Sequence, residues 1–440
     1  MALNLYPFNP SRKINDTDWN AVINASNNTN PPVMFTISSG SGLYTATNQY
    51  SKTVPFTNTD FATLLTNTVS NASNTAPGGG KIFIERGVYP IFNTPINITG
   101  DNNIWICGEG QSPATTLQLQ AGASRNILTG SGLKSITISD MLIDGGYYLG
   151  QSAVNNTALF SFNNTDSERI TLRNLTFLNS PNAAVTIAAS HAKIEDCYFL
   201  NCNISNGTGF NGQIGTLIVS GNSSQRDIKI LHNYFSTCKI DVTDADLTCT
   251  HLLIDGNTFY NPSGSSCVNL GACNYNTITN NFFIGNPPIV GIDYILLGTA
   301  HTTISNNYFT NVSNRVDAFI RDQAPIFDII QGNTFYGFTS NAHIAAGESN
   351  PSDGKLFISN NTFRDVASTL EIVRIQGISH FVINNNDFYS PFGTIAMAFD
   401  TNASGTGSIV NNIFVGDKRM VATVAPAKLF SGSNIGMDIV

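Results

Sequence analysis

Residues 302–309, TTISNNYF, and residues 356–363, LFISNNTF, repeat one order of apolar and polar positions: an aliphatic, a hydroxyl residue, two asparagines, one variable residue and a phenylalanine. Aligned on that last residue, the pattern recurs at Phe177, Phe199, Phe235, Phe259, Phe283, Phe309, Phe335, Phe363, Phe388 and Phe414, with spacings of 22, 36, 24, 24, 26, 26, 28, 25 and 26. Five residues before each anchor stands an aliphatic, Leu172 and then an isoleucine every time from Ile194 to Ile409. Two residues before it, eight successive repeats place Asn233, Asn257, Asn281, Asn307, Asn333, Asn361, Asn386 and Asn412. Ile143, in SITISDMLI, anchors an earlier, less regular repeat.

Apolar, polar, apolar and then a turn residue is a short strand that ends in a corner. Helical periodicity is missing, and Asn, Gly, Thr and β-branched residues are weak helix formers, which excludes a leucine-rich or α-helical solenoid. One strand-turn unit cannot bury its own apolar face. Stacked coils about 4.8 Å apart align Ile and Phe in continuous columns and pair each strand with the coils above and below. Asn suits the corner twice over, because it tolerates left-handed backbone angles and because an inward amide column can hydrogen-bond along the stack. The pattern therefore predicts an all-β chain, a right-handed parallel β-helix of about a dozen coils.

The segment before the repeats differs. Residues 59–73, TDFATLLTNTVSNAS, set Phe61, Leu64, Leu65 and Val69 on one helical face, with Thr59 as N-cap. A short helix there would cover the first coil, whose unpaired edges invite aggregation. The expected division is an attachment or oligomerisation segment over 1–55, the β-helix over 56–415 and a C-terminal cap or tail over 416–440.

The runs DFATLL (60–65), GGGKIFIERGVYPI (78–91) and ICGEGQ (106–111) resemble the start of the pectate-lyase-like parallel β-helix superfamily, which includes viral tailspikes. That superfamily holds polysaccharide lyases, glycoside hydrolases, epimerases and adhesins, so the resemblance speaks for fold more than for activity. Its tailspike members imply a homotrimer that binds or cleaves cell-surface glycans.

Composition narrows the function. Charged residues are 11% of the chain and hydrophobic ones 41%, with 28 Phe, so the chain is neither disordered nor strongly charged. A net charge of −8 without a basic run excludes a phosphate-neutralising surface, and hence nucleic acid as partner. No stretch approaches the apolar length of a membrane span, and the N-terminus, MALNLYPFNPSRKIND, has no signal-peptide core. Fourteen Asn-x-Ser/Thr sequons permit a glycoprotein, but 55 Asn in so Ser/Thr-rich a chain yield about ten by chance. The reading is a virion surface or extracellular attachment spike for polysaccharide or glycoprotein glycans, with residues 1–55 docking on other virion proteins. The alternatives are an extracellular lyase or hydrolase and a purely structural capsid or surface-layer β-helix.

Repeat registration also nominates a site. Asp317, His343 and Glu371 lie eight residues past their anchors, flanked by apolar residues, and so are expected in one outward column. Asp293, Arg321 and Arg374 join them as substrate contacts. Two carboxylates two coils apart, roughly 10 Å, would suit inverting glycoside hydrolysis, and a solvated ion-pair ladder is the competing account. Tyr147 and Tyr148 in DGGYYLG are candidates for stacking on a sugar ring. Asp241, Asp244 and Asp246 lack the Gly and Glu of a calcium loop and read as a solvated loop. Cys202 with Cys238 and Cys249 with Cys273 share offsets from neighbouring anchors, which allows a disulfide or a thiol stack. No CxxC pair, zinc cluster or nucleotide-binding fingerprint is present, and no metal or cofactor is expected.

Overall fold

The repeat spacing is realised as stacked rungs. The computed structural model describes residues 33–75, 79–92, 94–110, 115–120, 126–147, 157–202, 215–219, 226–242, 249–261, 266–271, 273–285, 292–298, 301–311, 316–340, 342–347, 354–368, 371–389, 395–400, 406–415, 419–422, 428–436 and 438–439. Nearly all described strands pair in parallel with the strand one coil away. The anchor aliphatics are in register from Leu172 through Ile194, Ile230, Ile254, Ile278, Ile304, Ile330, Ile358 and Ile383 to Ile409. The chain is a parallel β-helix.

Two ladders hold the coils together. The anchor phenylalanines from Phe177 to Phe414 stack with centroids 4.6–5.1 Å apart and planes within 10° of parallel. That distance is the rung spacing itself, so each ring meets the next face to face, and burial of each contributes roughly 1.5–3 kcal/mol. From Asn233 to Asn412 each Nδ2 donates to the Oδ1 of the next ladder asparagine, 3.0–3.1 Å away, and Asn434 ends the series. Each Oδ1 also accepts the backbone N–H of the asparagine before it at 2.8–3.0 Å. The second hydrogen of each amide goes to an anchor carbonyl of an earlier coil, as in Asn307 Nδ2 to Ile278 O at 2.9 Å.

The two virtues expected of Asn at this corner belong to two successive residues. The ladder asparagine is buried, and the residue before it takes the left-handed conformation: Asn280, Asn306, Asn360, Asn385 and Asn411 have φ of 55–57°. Gly256 and Gly332 fill that place in two coils, each with φ 66°. A Cβ on Gly256 would come within 2.5 Å of the His232 ring, and on Gly332 within 2.6 Å of Asn306 Oδ1, so the side chain of the coil below occupies the room.

The ends depart from expectation. A hairpin of β1 (Val33–Gly40) and β2 (Leu43–Asn48), extended by β3 (Phe56–Asn58), is antiparallel, and β1 pairs in parallel with β4 (Gly80–Ile84). The boundary expected at residue 55 thus falls inside the first rung. At the other end Arg419–Ala422, Lys428–Gly432 and Asp438–Ile439 continue the pairing past 415. The capping helix α1 (Phe61–Thr75) buries Phe61, Leu64, Leu65 and Val69 as expected. Its N-cap is Asp60, not Thr59: the helix begins at Phe61, and Asp60 Oδ2 accepts the Thr63 N–H at 3.1 Å. Among the described residues no helix is long and apolar enough to cross a membrane.

Candidate functional site

The nominated column is split by the register. On the sheet of strands Ile292–Leu297, Val316–Asp322, Ala342–Ala346 and Glu371–Gln376, Asp293 pairs with Ala318, Ala318 with Ala342 and Ala342 with Glu371. Asp317 lies off that line, beside an irregularity in the pairing. Asp293 and Glu371 share the column but stand three rungs apart, roughly 14 Å, beyond the span of a hydrolytic carboxylate pair. Two arginines hold the three acids. Arg321 Nε donates to Asp293 Oδ2 at 2.8 Å and its Nη2 reaches Asp317, which also accepts Ser340 Oγ at 2.9 Å. Arg374 grips Glu371 Oε2 at 3.0 and 2.6 Å. Ala318, Ala342 and Ala345 form a small buried apolar cluster on this sheet. Burial holds Asp293 up at about 6 despite the Arg321 charge beside it.

His343 is corrected outright. It is fully buried, edge-on to Phe319 at 5.1 Å, with Nε2 3.1 Å from the Gly337 carbonyl. Ala342 before it and Ala345 beyond it belong to the separate alanine cluster, while His343 points into the aromatic core, and burial pushes its pKa down to about 4. This neutral imidazole fills space and satisfies one carbonyl. Asp241 is buried against Lys239 at 3.2 Å, and among the described residues no group of three His, Cys, Asp or Glu could hold a metal. Cys202 and Cys238 are buried free thiols, Cys238 Sγ lying 3.3 Å from the Phe199 carbonyl, so this pair is a thiol stack, not a disulfide. Cys249 and Cys273 pair in register and Cys273 is buried; the Cys249 side chain lies outside the described residues. Tyr147 is exposed several coils from Asp293, and Tyr148, Asp244 and Asp246 lie outside the described residues.

A different face carries a groove. It encloses about 440 Å³ between Phe327, Lys355, Phe357, His380, Thr406 and Ser408. Lys355, His380 and Thr406 stand in one register column, and Phe357, Val382 and Ser408 in the next. Its floor is made by a large-to-small step: a Cβ at Gly407 would fall 2.1 Å from Phe381 Cζ, so only glycine lets the Phe381 ring lie over it. The Lys355 ammonium sits 5.3 Å above the Phe327 ring, a cation–π distance.

A stack of exposed rings leads into the groove. His251, Tyr275, His301 and Phe327 succeed one another coil by coil at 5.7, 4.7 and 6.3 Å with planes within 26° of parallel, and Phe357 continues at 5.7 Å. All four corner residues are left-handed, with φ of 59–69°. That conformation is an outlier for a bulky residue such as Phe327, which is 48% exposed, and a strained exposed aromatic marks a binding surface more often than a packing need. The signal was in the sequence: His251, Tyr275, His301 and Phe327 each stand three residues before an anchor isoleucine. Flat ring faces, one ammonium and two hydroxyls suit a ring-shaped ligand with polar substituents. Among the described residues no carboxylate lines the groove.

Comparison with known proteins agrees with the architecture. A family model described as Chondroitinase B matches residues 142–334, and no curated protein matches the chain. Among solved structures, PfbA, a surface adhesin of Streptococcus pneumoniae, is 13% identical over 82% of this chain and 88% of that one, with a TM-score of 0.54. DFA-IIIase from Arthrobacter chlorophenolicus A6 is 12% identical over 80% and 90%, TM-score 0.49. The tailspike protein of E. coli bacteriophage HK620 is 14% identical over 84% and 74%, TM-score 0.44. At such identities the likeness is one of fold.

Proposed function

We propose that this chain is a surface β-helix that recognises cell-surface glycans through the Phe327–Phe357 groove, and that it serves as a virion attachment spike, assembled as a homotrimer. The observation that carries the reading is the exposed ring stack from His251 to Phe327, which meets the half-buried Phe357 beside Lys355 and the hydroxyls of Thr406 and Ser408. Aromatic faces with a polar rim bind the apolar faces of sugar rings and the hydroxyls between them. A lyase-family match over 142–334 and a surface adhesin of the same fold support glycan as the ligand and the exterior as the location. Binding without cleavage is favoured because the acids on the neighbouring sheet are engaged by Arg321 and Arg374. The same family match keeps a polysaccharide lyase as the second reading.

Affinity electrophoresis against host-envelope polysaccharides tests it. Wild type should be retarded by at least one of them, and Phe357→Ala with Lys355→Ala should abolish the retardation while leaving the circular dichroism unchanged. New reducing ends or unsaturated uronate absorbance would move the assignment to the enzyme. Solution mass then decides between a trimer and a monomer.

A further inference from the structure

The sheet that carries the phenylalanine ladder has a second regularity on its outer side. The residues before and after each anchor point outward, forming two register columns: Tyr198, Tyr234, Thr258, Phe282, Tyr308, Thr334 on one side and Leu200, Ser236, Tyr260, Ile284, Thr310, Tyr336 on the other. Neither column is uniformly aromatic, yet together they supply one ring in every coil from Tyr198 to Tyr336. Where the first column lapses to Thr258 or Thr334, the second supplies Tyr260 or Tyr336 in the same coil. Arg364 follows Tyr336 in register, and Tyr389 follows Arg364.

Core packing does not explain this. Tyr198, Tyr260, Phe282, Tyr308, Tyr336 and Tyr389 are 36–49% exposed, and neighbouring rings do not stack on each other as the buried ladder does. Tyr198 and Tyr234 lie 6.0 Å apart at 41°, and Phe282 and Tyr308 lie 6.2 Å apart at 49°. The rings stand beside one another with their faces partly open, and an exposed aromatic strip of this length marks a contact surface. From Tyr198 to Tyr336 the strip is uncharged and the positions between rings are chiefly Thr and Ser; beyond it Arg364 and Asp387 enter the two columns. A polyanion would find one cation, which argues against nucleic acid. A neutral polyol finds phenol and hydroxyl partners beside each ring, the amphipathic combination that Tyr provides. The repeat adds a length criterion: one ring per rung of about 4.8 Å matches one sugar unit per ring for a chain laid along the helix axis.

We propose that this strip is a second glycan-binding surface, which takes a neutral linear polysaccharide lengthwise, one sugar per coil. The proposal rests on the reading of the chain as a glycan binder but names a face distinct from the groove. The competing occupant, a second copy of the chain, would use the strip as a subunit interface.

The test uses the full chain with soluble neutral polysaccharides, hydroxyethyl cellulose, galactomannan and xylan, and with oligosaccharides of two to eight units cut from whichever binds. Affinity should rise with oligosaccharide length until the strip is spanned and then level off. Tyr260→Ala with Tyr308→Ala should weaken binding about tenfold or more, and Tyr→Phe at both positions should keep most of it, because the ring supplies the larger part of the contact. A variant carrying Phe357→Ala and Lys355→Ala should retain this binding, which separates failure of the groove from failure of the strip. No retention of any of the three polysaccharides by wild type, or equal affinity of the double alanine variant, overturns the proposal. An unchanged affinity together with a fall in solution mass assigns the strip to contact between copies.

Discussion

From His251 to Phe327 each coil turns two left-handed corners that solve the same backbone problem in opposite ways. At the asparagine corner the left-handed residue is followed by a buried amide that is bonded above and below, and the identity of both hardly varies from Asn281 to Asn412. At the His251–Phe327 corner the left-handed residue is exposed, its side chain is free to vary, and the chain has placed large rings where Asn or Gly would be less strained. Stacking accounts for the first corner completely. It leaves the second unexplained, and an unexplained cost on the surface is where recognition is to be sought.

The contrast is broken most forcefully inside the asparagine corner. Asn307→Ala would remove the donors to Asn333 Oδ1 and Ile278 O and the acceptor for Asn281 N and Nδ2. With several buried partners left unsatisfied, the cost should be about 3–5 kcal/mol. Asn306→Ala, one residue earlier, gives up only left-handed tolerance and should cost about 1 kcal/mol, while Asn306→Gly should be near neutral. Urea unfolding of the three variants measures the difference; equal losses at 306 and 307 would show that the ladder is not the source of the corner's uniformity.

A smaller effect concerns a buried acid pair between the corners. Asp322 is fully enclosed, and burial together with the Asp328 charge pushes its pKa well above the carboxylate range. Asp328, which accepts the Thr302 and Ile326 backbone N–H groups, is raised to about 6, chiefly by burial. The folded chain therefore holds protons that the unfolded chain releases near 3.8, so this stability is full below about pH 4 and is lost as pH rises through 6. His343 works the other way: held at about 4, it refuses a proton that the unfolded chain accepts below 6.5, and costs stability as pH falls through that window. Asp322→Asn supplies a neutral donor to Asp328 at every pH and isolates the acid pair. It should match wild type at pH 4 and exceed it by on the order of 1–3 kcal/mol at pH 8. Parallel melting profiles of the two proteins across that range would refute the role of the buried acid pair.

The asymmetry between the corners also explains what could be read from residues alone. The Ile, Asn and Phe columns were legible because every inward position is set by its neighbour one coil away, and a one-residue slip would turn the set outward. The outer site was not. The offset from Phe309 to Asp317 equals that from Phe335 to His343, but the stretch between anchor and next strand differs in length and the pairing slips between Ile292 and Asp293, which moves Asp317 out of line. His343 faces inward for the related reason that both Phe319 and Ile320 beside its column are buried, so strict alternation fails there. The ring stack at His251, Tyr275, His301 and Phe327 was readable at a constant offset of three from the anchor. It went unread because its residue types differ while its geometry does not.

Phe327→Gly separates strain from recognition with the smallest expected change in stability. Glycine relieves the φ of 69° at no steric cost, and the relief is worth about 1 kcal/mol or slightly more. Against that stand the loss of the His301 and Phe357 ring contacts and of the Lys355 cation–π contact, about 0.5–1 kcal/mol for each exposed partner. The losses exceed the relief by only about 0.5–2 kcal/mol, so the melting temperature should fall slightly. Ligand binding has no such compensation, because the wall of the groove and the end of the ring stack go with the side chain. A variant nearly as stable as wild type that no longer binds glycan places the strain in the service of recognition; one that melts well below wild type and still binds would show Phe327 to be a packing residue and would remove the groove from the functional account.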